Sequence, residues 1–174
     1  MKRLIVSLVL YVSVACAGAE TYQAPEDFLR EAFSGTVPKP KLLWLTGTIR
    51  DRTKAILGHD PAQLRVRYWR QGQRSAWILD EIGKEEPITT GIVVDAGKIE
   101  LIRVLIFRES RGWEVRHDFF TNQFRQRSLT ADDKLDGPID GISGATLSVR
   151  ALTNLARVAL YFHQQLPAAN HVAP

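Results

Sequence analysis

Residues 88–107 read ITTGIVVDAGKIELIRVLIF. Two runs rich in β-branched and apolar residues flank Asp95-Ala96-Gly97-Lys98. That pattern predicts a β-hairpin with strands Ile88–Val94 and Ile99–Phe107. Leu101, Ile102, Val104, Leu105 and Ile106 are too uniformly apolar for a strand with one wet face. The second strand is therefore expected to be central and covered on both sides.

Upstream, Leu64–Trp69 and Ser75–Leu79 read as two further strands joined by Arg70–Arg74. Pro25-Glu26-Asp27 opens a helix through Phe33, because proline suits a first helical turn and carboxylates suit its positive end. Gly35–Pro40 is a loop. Leu42–Gly58 contains a second helix, with Leu45, Ile49 and Ile56 on its apolar side and Gly58 as its stop. Downstream, Arg108–Glu114 is a loop and His117–Gln126 mixes aromatic and polar residues. Ser128–Lys134 is polar, and Asp136–Ser143 is a Gly- and Pro-containing loop. Thr146–Gln165 has helical spacing through Leu152, Leu155, Ala159 and Phe162. Helices and strands are not in βαβ alternation. The expected class is therefore α+β, a single domain with an antiparallel sheet packed with helices.

The chain has 174 residues, 45% of them hydrophobic, which supports one core. Met1-Lys2-Arg3, the apolar run Leu4–Val14 and the small residues Ala17-Gly18-Ala19 have the anatomy of a secretory signal peptide, residues 1–19. The run is short for a membrane span, which needs about 20 residues. Cleavage after Ala19 predicts an exported, extracytoplasmic or periplasmic protein with no membrane-spanning segment, beginning at Glu20. Residues 20–24 are then an exposed leader, residues 20–87 the N-terminal part of the domain, and residues 167–174 a flexible tail. Cys16, the single cysteine, leaves lipid attachment open as an alternative. With the signal removed, no disulfide or thiol chemistry is available. Lys plus Arg number 23 and Asp plus Glu 19. Without Lys2 and Arg3 the excess is too small to suggest nucleic acid. The basic cluster LRVRYWRQGQR, residues 64–74, alternates with apolar residues as a solvated strand face does.

His59, His117, His163 and His171 lack metal-ligand spacing, so no metal site is expected. Ser143 does not sit in a G-x-S-x-G elbow, because Ala145 takes the place of the last glycine. A serine hydrolase using Ser143 with His117 or His163 stays open as a spatially assembled triad. Neither a G-x-x-x-x-G-K loop nor a G-x-G-x-x-G turn is present. There remains Asp140-Gly141-Ile142-Ser143-Gly144-Ala145-Thr146, at the mouth of the last helix. Ser143 is expected as N-cap, Gly144 and Ala145 leave room, and Thr146 falls in the first turn, where unsatisfied amides favour an anion. Ser-Gly-Ala-Thr is also an ordinary helix start.

The pattern Asp, two residues, Ser-Gly-Ala-Thr resembles the flavinylation motif of FMN-binding domains. Such domains occur in the sodium-pumping NADH:quinone reductase, in Rnf-type complexes and in small exported flavoproteins. The resemblance implies a covalent phosphoester between FMN and Thr146, made by a separate flavin transferase. Asp140, Gly141, Ser143, Gly144 and Ala145 would be its recognition context. It extends over about residues 88–160, within a region bounded as 88–166. Glu109-Ser110-Arg111-Gly112-Trp113-Glu114 stands where the family often has Glu-Thr-Pro-Gly-x-Gly, which implies flavin contacts for Glu109 and Ser110. FFTNQFRQ, residues 119–126, resembles the aromatic segment before the motif. Trp113, Phe119 and Phe120 are candidates for packing on the flavin ring, with core packing as the alternative for each. The implied role is an electron carrier between a membrane or periplasmic donor and a further partner, with no catalytic residues of its own. An FMN-holding sensor or assembly module is the alternative.

Overall fold

The computed structural model describes residues 18–167. The expected signal peptide up to residue 17, with Cys16, and the tail from residue 168 lie outside the described residues. In chain order the elements begin with β1 (Glu20–Thr21), α1 (Pro25–Ala32), β2 (Lys41–Trp44) and α2 (Gly47–Leu57). Four longer strands follow: β3 (Arg65–Gln71), β4 (Arg74–Ile82), β5 (Pro87–Asp95) and β6 (Lys98–Phe107). A 3-10 turn at Trp113–Arg116, α3 (Asp118–Thr121), a second 3-10 turn at Asn122–Phe124 and α4 (Thr146–Gln164) complete the chain.

The strands form one antiparallel sheet in the order β1-β6-β5-β4-β3-β2. The expected hairpin is β5–β6, with Asp95 opposite Lys98. Ala96 and Gly97 both take positive φ, as the favoured two-residue hairpin turn requires. The β3–β4 connection is also only two residues, Gly72-Gln73, so both strands run further than expected and absorb Arg70 and Arg74.

Three expectations are corrected or refined. β6 is covered on both faces, through Ile102 and Val104 on one and Leu105 on the other, but the most fully buried strand is β5, whose residues Ile88 to Val94 are all buried. β6 lies one place further out beside the short β1, and its Leu101 and Ile106 are only half covered. Residues 20–21 are not a bare leader, because Glu20 and Thr21 pair with Phe107 and Ile106. The second helix lies within Leu42–Gly58 as expected, but Leu45 is not on it. Lys41–Trp44 is a strand paired with β3, and the helix starts after the extended Thr46. Gly58, at φ +85°, ends it as expected.

The sheet divides the core in two. On one face α1 packs Phe28, Leu29, Ala32 and Phe33 against Trp69, Ala76, Val93 and Leu105. A Cβ at Gly91 would lie 2.7 Å from the Phe28 ring, so this strand position admits only glycine beneath the helix. On the other face α4 buries Leu152, Leu155, Ala159 and Phe162 against Trp77, Ile92 and Ile102. Each such side chain contributes about 1.5–3 kcal/mol relative to exposure. Trp77 stacks on Tyr68 at 5.2 Å and donates its indole N–H to Ser75 Oγ at 2.9 Å. Arg52 of α2 grips the Asp133 carboxylate through two nitrogens, and Arg157 of α4 donates to the Asp133 carbonyl. That fixes the polar segment feeding the loop before α4.

Candidate functional site

The loop before α4 ends in a tight turn. Ala145 N–H donates to the Ile142 carbonyl at 3.0 Å, which places Ser143 and Gly144 at the corners. Gly144 has φ +82° while Ser143 does not take a positive φ, the pattern of a type II turn. Ile142 and Ala145 point into the core. Ser143, Gly144 and Thr146 are exposed.

This geometry corrects the expected cap. Ala145 occupies the N-cap position, Thr146 is the first helical residue, and no side chain caps the helix. The left-handed Gly144 delays the helix by two residues, so Ser143 stands at the corner of the turn instead. The amides of the first turn are left without a side-chain acceptor, and the Thr146 hydroxyl stands beside them. An uncapped helix start carries a partial positive charge and free donors.

Thr146 lies on the wall of a cleft of about 490 Å³, lined by Lys84, Glu109, Ser110, Arg111, Gly144, Ala145, Thr146, Leu147 and Ser148. Three separate pieces of chain meet there: the β4–β5 turn, the loop after β6 and the start of α4. Glu109 binds the first two together. Its Oε1 accepts from the backbone N–H groups of Lys84, Glu85 at 2.7 Å and Glu86 at 3.0 Å. A Cβ on Gly83 would lie 2.7 Å from that oxygen, so the turn closes tightly over the carboxylate. Gly112, at φ +86°, brings the loop flush against α4, since a Cβ there would lie 2.5 Å from Ser148 Oγ. The Lys84 ammonium is held above its ordinary pKa by the Glu85 carboxylate at 2.8 Å, with Arg111 acting the other way.

The cleft thus gathers Glu109, Ser110, Gly144, Ala145 and Thr146 from the sequence-derived residues. Asp140, Gly141 and Ser143 are not on its wall. Asp140 is exposed, and its N–H donates to Gln123 Oε1 at 2.7 Å. Lys84 and Arg111 are the residues sequence reasoning missed. Lys84 lies upstream of residues 88–160, which carry the resemblance, and Arg111 sits in a loop where the resemblance implies contacts for Glu109 and Ser110.

Of the aromatic candidates, Phe120 belongs to the core, fully buried and edge-on to Phe124 at 5.4 Å. Trp113 and Phe119 are exposed, with His117 between them at 5.4 and 6.1 Å. Gly112, one residue before Trp113, touches the first turn of α4, so this aromatic ledge begins beside the cleft. A hydrolytic triad gains no support from His163. That histidine is bonded to Ser75 at 2.7 Å, at the far end of α4, roughly 25 Å from Thr146 at 1.5 Å per residue.

The donor set fits a phosphate ester. An exposed hydroxyl stands at an uncapped helix start, two cations line the same cleft, and Gly144 has no atom within 4 Å of where a Cβ would be. Residues 83–161 match the family model of the FMN-binding domain. No curated protein matches the chain. The matched segment starts at Gly83, in the turn that holds Lys84, and runs through α4 to Tyr161, so it contains every residue lining the cleft. The family implies FMN as cofactor. Over residues 83–161 this chain is an FMN-binding domain.

Proposed function

We propose that this protein is an exported electron carrier that holds FMN through a phosphoester bond to Thr146 Oγ1. The observation that carries the reading is the exposed Thr146 hydroxyl at the uncapped start of α4, in one cleft with Lys84 and Arg111. The amides of the first turn and the two cations offset the charge of the phosphate. The loop 109–114, the β4–β5 turn and the start of α4 frame the ring, and Trp113 and Phe119 offer it apolar surface. When bound, the isoalloxazine supplies the redox chemistry, and the protein positions and tunes it.

Attachment needs a partner enzyme. A threonine hydroxyl is a weak nucleophile and requires a base. The carboxylate on the cleft wall, Glu109, is already engaged by three amides. A separate flavin transferase therefore takes the hydroxyl proton, while Thr146 Oγ1 bonds to the FMN phosphorus of a flavin dinucleotide, whose phosphoanhydride bond breaks and releases the nucleoside monophosphate. Asp140, Gly141 and Ser143, exposed beside the cleft, are the surface that enzyme reads. Glu109 acts through the backbone it holds, and Ser110 is the neutral donor on the wall.

Export after cleavage at Ala19 fits the first strand, which starts at Glu20. Covalent linkage then prevents loss of the cofactor outside the cytoplasm, where a membrane or periplasmic partner supplies electrons. The test is flavin fluorescence and intact mass of denatured protein made with a flavin transferase. Wild type and Thr146→Ser should carry the mass of FMN, and Thr146→Ala should carry none. Flavin retained by denatured Thr146→Ala would overturn the assignment.

A further inference from the structure

The face of the sheet under α1 is only partly covered. That helix packs over β4 and β5, and the same face of β2 and β3 is open beyond it. The register sets Leu42 opposite Arg67 and Trp44 opposite Arg65, and directly opposed residues share a face. Leu42 is 48% exposed, Trp44 53% and Leu64 64%. Ile82, 54% exposed, lies on this face of β4 by alternation with Ile78. A trough of about 770 Å³ runs between α1 and these strands, with Leu29, Leu42, Trp44, Leu64, Trp69 and Ile78 on its walls.

Two arginines interrupt this apolar surface. The Arg65 guanidinium lies 5.6 Å from the Trp44 ring centre. Neither Arg65 nor Arg67 is paired with a carboxylate among the described residues. Of the acids nearby, Glu26 lines the rim and Asp80 is engaged by the Thr89 hydroxyl at 2.5 Å. Large apolar side chains gathered on one exposed face mark an interaction surface. Half-exposed tryptophan and aliphatic residues interleaved with unpaired arginines match the two demands of an anionic lipid interface, apolar insertion and phosphate pairing. Strand pairing with a second copy is disfavoured, because Pro38-Lys39-Pro40-Lys41 guards the edge at β2.

We propose that the open β2–β3 face docks on an anionic lipid bilayer. Leu42, Trp44, Leu64 and Ile82 enter the interfacial region, and Arg65 and Arg67 meet lipid phosphates. The helix that begins at Thr146 packs on the opposite face of the sheet, so docking leaves the cleft accessible. The inference does not depend on the flavin reading.

The test labels single cysteines with an environment-sensitive dye in a full-chain Cys16→Ser background. Leu64→Cys reports the proposed face, and Arg125→Cys, exposed after the second 3-10 turn, is the control. With vesicles one part in three phosphatidylglycerol, the dye at position 64 should shift to shorter wavelength and the dye at 125 should not. Neutral vesicles should give no shift at either. Adding Arg65→Gln and Arg67→Gln should weaken the position-64 response about 25-fold, at roughly fivefold per charge. The position-specific readout separates the face from any contribution of the apolar residues near the N-terminus. No shift at 64, equal shifts at 64 and 125, or equal shifts with neutral vesicles would each overturn the proposal. So would a shift at 64 that needs no lipid and grows with protein concentration, which would mark an interface between two copies.

Discussion

At the scale of residues, the geometry of the site turns on Gly144. A Cβ there would meet nothing within 4 Å, so space does not demand glycine. Its φ of +82° does, because a side chain in the left-handed region costs about 1–2 kcal/mol. Gly144→Ala should therefore lose about 1 kcal/mol in denaturant titration and reduce flavin loading, although Thr146 is intact. Gly144→Asn should recover part of both, since asparagine tolerates this conformation better. Loading equal to wild type in a destabilised Gly144→Ala would mean that the turn serves the fold alone. The start of the last helix at Thr146 was legible in the sequence because the residues that mark it are contiguous. The type II turn was not, because Ser-Gly-Ala-Thr suits both a serine cap and a serine corner, and only the sign of φ at Gly144 separates them. Lys84 and Arg111 escaped for a different reason. They join Thr146 only through the Glu109 carboxylate and the close contact of Gly112 with Ser148.

At the scale of elements, legibility followed length and turn chemistry. The β5–β6 hairpin and α4 carry many residues in phase, and Ala96-Gly97 sets the register between the two strands. β2 and β1 are four and two residues long, and their strand character comes from partners far along the chain. The ends of the elements also hold two histidines with opposite effects on stability. His163, near the C-terminus of α4, lies below its ordinary value of 6.5, first through burial and then through the charge of Arg70. Below pH 6.5 the unfolded chain takes up a proton that the folded chain refuses, so this group destabilises the fold as pH falls. His59, past the end of α2, lies above that value, through the Asp60 carbonyl and then the Glu81 carboxylate at 2.8 Å. Its contribution is fully present below pH 6.5 and is lost as pH rises through the elevated value. Urea midpoints measured from pH 5 to 8 should show the acid-side loss reduced in His163→Gln and the alkaline-side loss reduced in His59→Gln. Superimposable profiles for wild type and both variants would contradict these shifts.

At the scale of the whole molecule, the sheet carries stability and its rim carries the candidate site. The class, one α+β domain on an antiparallel sheet, was readable from the order of elements. Which face α1 covers, and what it leaves open, was not, because that depends on β2 pairing with β3 across the whole of α2. The core joins parts far apart in sequence, with Phe28 seated on Gly91 and Trp77 between Tyr68 and Phe162. Thr146 belongs to neither apolar cluster and is exposed. Losing its hydroxyl removes no buried contact, so Thr146→Ala should abolish flavin attachment while stability, compared between flavin-free proteins, changes by no more than about 0.5 kcal/mol. Phe28→Ala touches no residue of the cleft but empties a fully buried ring site, which should cost about 3–5 kcal/mol. Its flavin loading should fall only in proportion to the protein that remains folded. Denaturant titration paired with flavin occupancy separates the two outcomes. A Thr146→Ala protein as unstable as Phe28→Ala would mean that the start of α4 is part of the structural core, and that site and scaffold cannot be varied independently.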